Sequence, residues 1–97
     1  MRHNLKTDKK WLSAVTSGEK RAEIRKADRH FAKGDELLLY TPDKSEAELV
    51  RVLHVLPLDE VPEIQSAVPF VSLSIQRERS VIGDAVLAEL KSGDFGT

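Results

Sequence analysis

The sequence predicts a small α+β domain in which about five strands form a mixed, mostly antiparallel β-barrel with two short helices. Apolar residues recur at helical spacing in two short segments, one near each end of the chain. Most of the runs between these segments have the two-residue period or the continuous apolar character of strands, and most connections are short. An open sheet of this size would leave unpaired edges, so we expect the strands to close into a barrel.

The first predicted elements are a short strand at 3–6 and a helix that follows Thr7 and Asp8. Either residue can cap this helix, because its side-chain oxygen can accept a hydrogen bond from the first turn. Gly18 stands where a left-handed residue ends many helices. The apolar face of the helix comprises Trp11, Leu12, Ala14 and Val15. We therefore assign Trp11 to the core rather than to a ligand.

After the helix the hydrophobic period changes to two, which is typical of a half-buried strand. Ala22 and Ile24 form its apolar side, which we expect to face the core. The charged residues Arg21, Glu23 and Arg25 share the opposite side, at steps of about 7 Å along the strand. This strand is the element on which a functional site is most readily placed.

Two later runs, 36–41 and 49–56, are apolar on both faces. Such runs are typical of strands inside a sheet or barrel. Gly34 and Asp35 mark a turn before the first run. His54 lies within the second run and is assigned to the core, whereas His30 is assigned to the surface.

The last third of the chain is predicted to contain a loop, a strand and a helix. Pro57, Pro62 and Pro69 bracket the segment 58–68, which we interpret as a loop with one helical turn near 60–66. Residues 70–76 alternate and predict another strand. Ser80 is expected to cap a helix that Gly93 ends. The apolar stripe of this helix comprises Ile82, Val86 and Leu90.

Length and composition predict that residues 1–97 form a single domain, and 40% apolar with 32% charged residues argues against a disordered chain. No apolar run approaches the roughly 20 residues that span a bilayer, and no signal-peptide pattern is present. We expect a cytoplasmic protein without a membrane partner. The absence of cysteine fits this compartment and excludes disulfides, thiolate nucleophiles and Cys-ligated zinc. The three histidines form no i, i+4 pair, so neither a metal nor a cofactor is expected.

Charge is distributed unevenly along the chain, although the formal net charge is only −1. Residues 1–33 hold ten Lys and Arg against four Asp and Glu, which gives +6. Residues 34–97 hold five against twelve, which gives −7. This asymmetry is consistent with a basic face for phosphates, and equally with two halves that attract each other across the fold.

The pattern G-x-K-x-x-E-x-R, present as Gly18, Lys20, Glu23 and Arg25, resembles the signature of ASCH domains, which have a PUA-like barrel fold. The resemblance covers about residues 3–76 and is greatest to a small bacterial and phage branch without an assigned activity. The flanking motifs that carry it are His3-x-Leu5-Lys6, Arg25-Lys26-x-Asp28-Arg29-x-Phe31, Gly34-Asp35 and Val71-x-Leu73-Ser74-Ile75.

The resemblance implies a cleft beside the barrel and next to the first helix, lined by Lys20, Glu23 and Arg25. It also implies binding of RNA or nucleotides. One small ASCH group hydrolyses the acetyl amide of N4-acetylcytidine with a Lys at the position of Lys20, a Thr at the position of Glu23 and a later Glu. Glu60 and Glu63 lie in the corresponding later part of this chain.

The three signature side chains also form a candidate site on chemical grounds. Lys20 and Arg25 can hold a phosphate or a carbonyl, and Glu23 can accept a hydrogen bond from the amino group of a base. A catalytic Lys20 must be neutral, whereas the adjacent Glu23 favours the ammonium form. Recognition is therefore favoured over proton transfer. The alternative is that these charged residues have no ligand and simply alternate in sign along a strand face that is exposed to solvent.

Further residues are expected to extend this site. If the first strand lies beside the signature strand, His3 and Lys6 enter the cleft, as does Arg21. A phosphate track beyond the cleft would be marked by salt-dependent binding, although a solvated surface is the simpler interpretation of such charges. The track would comprise Arg21, Lys26, Arg29 and Lys33.

The predicted function is that of a module that binds RNA or a nucleotide-like small molecule through Lys20, Glu23 and Arg25. The first alternative is an amidohydrolase acting on an acylated nucleoside such as N4-acetylcytidine, with Lys20 as base or nucleophile and Glu23 or Glu60 handling the proton. The second alternative is a protein-interaction module that uses the C-terminal helix. We expect a monomer without a cofactor.

Overall fold

A computed structural model describes residues 1–63 and 68–92 and contains five strands and two helices in the predicted order. A single turn of 3-10 helix at Leu58–Glu60 follows the fourth strand. Residues 64–67 of the predicted helical turn lie outside the described part. The elements are β1 (Arg2–Lys6), α1 (Lys9–Ser17), β2 (Ala22–Lys26), β3 (Glu36–Tyr40), β4 (Glu46–Pro57), β5 (Phe70–Ile82) and α2 (Asp84–Ser92).

The five strands form one sheet in the order β1-β3-β4-β5-β2. Only the β1–β3 pair is parallel, and the other three pairs are antiparallel. The sheet curls into a half-barrel, so the predicted fold class is confirmed. Its two edge strands, β1 and β2, have no ladder between them in the described residues. Instead Arg25 Nη2 donates a hydrogen bond of 2.9 Å to the carbonyl oxygen of Lys6, across a gap that we call the seam.

The core lies on both faces of β3, as expected for an inner strand. Leu37 and Leu39 belong to the inner cluster that α1 covers, whereas Leu38 packs in a second cluster under α2. The α1 residues buried in the inner cluster are Leu12 and Val15. No helix within residues 1–63 and 68–92 is long and apolar enough to cross a bilayer.

Of the two caps predicted for α1, the C-terminal cap at Gly18 is present. Gly18 has the left-handed φ of 84°, and its amide donates to the carbonyl of Val15 at 3.1 Å. Asp8 occupies the N-cap position, but its side chain makes no capping hydrogen bond in this structure. The left-handed conformation at Gly18 directs the chain into the segment that carries Lys20.

The predicted boundary between the last strand and the last helix is wrong. Strand β5 continues through Ser80 to Ile82, and α2 begins only at Asp84, after Gly83 with a φ of 64°. The polar residues 76–80 hide the strand period in the sequence, but the ladder with β4 extends to the Glu46–Ile82 pair. Ile82 is 71% exposed and does not belong to the helix. Gly93 lies outside the described residues.

The predicted core position of His54 is also wrong, because the ladder between β4 and β5 is irregular between Val52 and His54. The extra residue changes which side chains face inward, as expected of a β-bulge. His54 and Leu53 are exposed, and Val55 packs against the inner cluster instead. His30 is exposed, as predicted.

Candidate functional site

Strand β2 presents its charged face inward, which reverses the predicted orientation. Glu23 is paired with the buried Leu73 of β5 and is itself only 5% exposed. Ile24 lies opposite Ser72 and is 60% exposed. Burial of a carboxylate is costly unless cationic partners compensate the charge, and β2 supplies such partners locally. The alternative of a fully solvated charge ladder is therefore wrong for Glu23.

Both oxygens of Glu23 are bound by cations. The Lys20 ammonium group donates to Oε1 and also to the carbonyl of Ala22 at 2.6 Å. Arg25 Nε donates to Oε2 at 2.6 Å. The Lys20 and Arg25 side chains are 23% and 25% exposed, against 7% for Glu23. These three side chains, which we call the triad, carry one surplus positive charge at the surface of the domain.

Arg25 faces a small open cleft of about 340 Å³ beside α1, which we call the Trp11 cleft. Trp11 is 48% exposed, so its predicted core position is wrong, and the Lys10 ammonium lies 4.9 Å from its ring centroid. Leu12 and Val15 occupy the buried face of α1, and Trp11 lies on its flank. The cleft is lined by Lys6, Thr7, Asp8, Trp11, Glu23, Arg25 and Pro42.

A larger groove of about 580 Å³ lies at the seam between β1 and β2, and we call it the seam groove. It shares Lys6 and Arg25 with the Trp11 cleft. Asp28 is the single acidic residue in its lining. The groove is lined by Asn4, Leu5, Lys6, Ile24, Arg25, Lys26, Asp28, Arg29, Phe31, Tyr40 and Phe70.

Lys20 and Arg21 open onto a third cavity of about 420 Å³, between the end of α1 and strand β5. Arg21 Nε donates to the carbonyl of Gly18 at 3.1 Å. Arg77 of β5 lies in the same lining. The predicted site residues are therefore divided, because Lys6, Glu23 and Arg25 line the Trp11 cleft whereas Lys20 and Arg21 line this cavity.

His3 lies apart from the triad in a buried pair with Asp35. It is 1% exposed, its Nε2 lies 2.8 Å from Asp35 Oδ2, and its ring centroid is 4.8 Å from that of Phe31. Burial raises the pKa of Asp35, but hydrogen bonds from His3, the Ala32 amide and the N-terminal amine outweigh burial and lower it below its ordinary value. No group of three or more residues in the described chain is suited to hold a metal.

Four aromatic residues line the two clefts, and none was identified as a site residue from the sequence: Trp11, Phe31, Tyr40 and Phe70. Tyr40 lies opposite Lys6 in the β1–β3 register, and Phe70 lies opposite Lys26 in the β2–β5 register. Those pairings depend on strand register, which local patterns do not reveal. The exposure of Trp11 could have been predicted from the sequence, because Trp11 follows Lys9 and Lys10 on the polar flank of α1.

Comparison with known proteins places these features in a family. A family model described as the ASCH domain matches residues 5–92. An uncharacterized 12.9 kDa protein of Escherichia phage P2 is 45% identical over 38 residues, which make up 39% of this chain and 35% of the phage protein. The match thus spans about a third of that relative.

A solved structure supports the fold. The crystal structure of hypothetical protein PH0355 superposes with a TM-score of 0.60 at 14% identity. The superposition covers 80% of this chain and 100% of that one. At this identity the likeness concerns the arrangement of strands and helices alone.

Proposed function

The chain belongs to the ASCH domain family, and on this premise we propose that it binds RNA or a nucleotide-like ligand at the triad and the Trp11 cleft. The observation that carries the proposal is the meeting of an exposed tryptophan ring and a fixed guanidinium group in one cleft. Trp11 offers a surface for a base, and Arg25 offers donors for a phosphate or a base carbonyl.

Glu23 and the Lys6 carbonyl hold Arg25 in place through Nε and Nη2, at 2.6 and 2.9 Å. Among the described residues Arg25 donates hydrogen bonds through Nε and Nη2, and we assign Nη1 to the ligand. Because the side chain is already ordered, binding loses little rotamer entropy. Glu23 thus acts as a positioning residue for Arg25.

Trp11 supplies the second half of the proposed recognition. Stacking of a base on an aromatic side chain contributes about 1–3 kcal/mol and tolerates any base, because each base has a π-face. Trp11 is 48% exposed, so its ring is accessible to a base, and the Lys10 ammonium lies 4.9 Å from the ring centroid. In the proposed complex a base stacks on the Trp11 ring while a phosphate accepts hydrogen bonds from the Arg25 guanidinium.

The geometry favours binding over amide hydrolysis. A catalytic lysine must lose its proton, and the Glu23 carboxylate in contact with the Lys20 ammonium stabilises the charged form. Glu23 already accepts hydrogen bonds at both oxygens, which opposes a role in proton transfer. Glu60 is exposed on the turn after β4 and lines none of the three cavities described above.

The C-terminal helix offers no continuous apolar stripe for a partner within the described residues. Val86 is fully buried, and Leu90 packs against the second core cluster. Ile82 lies on β5 rather than on α2. The helix therefore closes the core of its own domain.

Binding of a fluorescently labelled hexauridylate RNA, measured by anisotropy at 50 and 200 mM salt, tests the proposal. Arg25→Ala should weaken binding by about tenfold or more, since a charge-assisted hydrogen bond contributes about 1.5–3 kcal/mol. Trp11→Ala should weaken it similarly, and Trp11→Phe should restore part of the affinity.

Arg79→Ala is the matched control, because Arg79 is an exposed arginine that binds Glu89 at 3.0 Å outside both clefts. If Arg25→Ala and Arg79→Ala bind hexauridylate equally well, the triad is not the binding site. Wild-type protein that fails to bind the RNA at 50 mM salt also contradicts the proposal.

A further inference from the structure

We infer that the ligand is a single-stranded oligonucleotide that runs from the Trp11 cleft into the seam groove, rather than a mononucleotide held at the triad alone. This inference rests on the proposed function and deepens it, because it assigns the length and strandedness of the ligand. It also gives a role to Lys26, Tyr40 and Phe70, which the triad does not use.

The two spaces adjoin each other at shared lining residues. The Trp11 cleft and the seam groove share Lys6 and Arg25, which lie on either side of the seam and are joined by the 2.9 Å hydrogen bond from Arg25 Nη2. Each space alone, at about 340 and 580 Å³, is large enough for one small ligand. Together they form an extended path with a shared cationic midpoint, which suits a chain of linked units.

Each side of the seam carries a cation beside an aromatic ring. On the β1 side, Lys6 lies directly opposite Tyr40 of β3. On the β2 side, Lys26 lies directly opposite Phe70 of β5. Side chains directly opposite each other on antiparallel strands have Cβ atoms about 5 Å apart, so Lys26 and Phe70 act on the same part of the groove. Lys6 and Tyr40, on the parallel pair, line the groove together. Alternating phosphate and base contacts require this combination.

The charge of the groove suits a polyanion. Four of the residues in its lining are cations, and only Asp28 opposes them. Asp28 lies 3.8 Å from Arg29 Nε, which reduces the charge of that pair. Lys6 and Lys26 are both exposed. Their ammonium groups are therefore placed where a phosphate backbone can reach them.

The aromatic lining selects an unpaired strand. Bases inside a duplex already stack on their neighbours and are not available to side chains, whereas unpaired bases can be splayed onto Trp, Tyr or Phe rings. Of the four rings in the two linings, Phe31 is buried in the core, and Trp11, Tyr40 and Phe70 lie at separate points of the path. One mononucleotide occupies only one of these positions.

Length-dependent binding tests the inference. Uridine monophosphate, triuridylate, hexauridylate, hexathymidylate DNA and an RNA hairpin of paired bases are titrated separately against the full chain. Hexauridylate should bind at least about tenfold tighter than the monophosphate, because each added base that stacks on a ring adds to the affinity. The hairpin stem should bind weakly, and the comparison of RNA with DNA shows which single strand is preferred.

Lys26→Ala is the informative variant, since Lys26 lines the seam groove but not the Trp11 cleft. It should weaken hexauridylate binding about fivefold and reduce the slope of log affinity against log salt by about 0.7, the value expected for one phosphate contact on a single strand. Binding of uridine monophosphate should not change. Lys91→Ala removes an exposed lysine of α2 and is the matched control.

Three results would overturn the inference. Equal affinity for the monophosphate and hexauridylate, with no effect of Lys26→Ala, would confine the ligand to the Trp11 cleft and leave the proposed function intact. Equal affinity for hairpin and single strand would exclude selection by the rings. Absence of binding by every probe would remove the proposed function together with the inference. An effect of Lys26→Ala without an effect of Arg25→Ala would instead support the groove and move the proposed site away from the triad.

Discussion

Glu23 and Glu48 are both buried carboxylates, with exposed fractions of 5% and 2%, but their partners differ in charge and in origin. Glu23 of β2 binds two cations, Lys20 and Arg25. Glu48 of β4 binds one cation, Arg77, at 3.2 Å. Its other donors are the hydroxyl groups of Thr16 on α1 and Ser80 on β5, the latter at 2.7 Å.

The difference separates a structural carboxylate from a positioning carboxylate. The Glu48 cluster is balanced in charge and joins three elements, α1, β4 and β5. The triad around Glu23 keeps one surplus positive charge and holds Arg25 at the mouth of a cleft. Burial of a glutamate alone therefore indicates little about function. The charge balance of its partners and the cavity that they face are the informative features.

The largest expected effect is on the stability of Glu48→Ala. The substitution removes an acceptor from three donors at once, and we expect a loss of about 3 kcal/mol in the free energy of unfolding. Urea unfolding followed by far-UV circular dichroism measures it, with Glu60→Ala as the exposed control. RNA binding by the folded fraction should stay unchanged. A loss below about 1 kcal/mol would contradict the structural role of Glu48.

Glu23→Ala should cost less stability, about 1–2 kcal/mol, because the partly exposed Lys20 and Arg25 can turn towards water. Its larger effect should be on RNA affinity, since Arg25 loses the carboxylate that orients it. Glu23→Gln should restore part of the affinity by keeping one acceptor for Arg25. The comparison between the two glutamates fails if Glu23→Ala is as destabilising as Glu48→Ala and leaves affinity unchanged.

Thr16→Val should cost about 1 kcal/mol, the typical net contribution of one hydrogen bond. Valine matches the shape of threonine but cannot donate to Glu48. Thermal or urea unfolding of Thr16→Val, Ser80→Ala and the double variant gives the coupling between the two hydroxyl groups. Strictly additive losses would indicate that Thr16 and Ser80 do not share the Glu48 oxygen as the structure shows.

The smallest expected effect concerns a third buried carboxylate, that of Asp35, and is a change in unfolding free energy that appears only at acidic pH. Because the folded pKa of Asp35 is lowered, its contribution to stability is present above its ordinary pKa and is lost as the pH falls through the folded value. Asp35→Asn should therefore flatten the decline of stability below about pH 4, measured by urea unfolding at each pH. An unchanged decline would show that the His3–Asp35 pair does not contribute to acid sensitivity.

Local patterns predicted most of the fold. The inner strand β3, the Gly18 cap and the alternation of Val71, Leu73 and Ile75 all follow from neighbours in sequence, and each is present. The bulge near His54 and the extension of β5 to Ile82 depend on pairing between distant strands. Such pairing leaves no local pattern, which is why the side of His54 and the end of β5 were predicted wrongly.

The grouping of Lys20, Glu23 and Arg25 on one side of the strand was predicted, and these side chains do contact one another, but the orientation of the strand was not predicted. A period of two separates Glu23 from Ile24, yet it does not determine which side faces inward. The hydrophobicity of Ile24 favoured its burial in the prediction. In the structure Glu23 is buried instead, because Lys20 and Arg25 compensate its charge. Trp11 was assigned to the core for the same reason, and it faces the cleft instead.

The open seam has a consequence for the behaviour of the protein at high concentration. Free strand edges are templates on which other chains can add strands and aggregate, and lysine side chains at an edge discourage such pairing. Lys6 and Lys26 stand on the two free edges, and the Lys6 carbonyl is occupied by Arg25. Removal of these lysines is therefore expected to lower colloidal stability, separately from any loss of RNA affinity that the proposed function predicts.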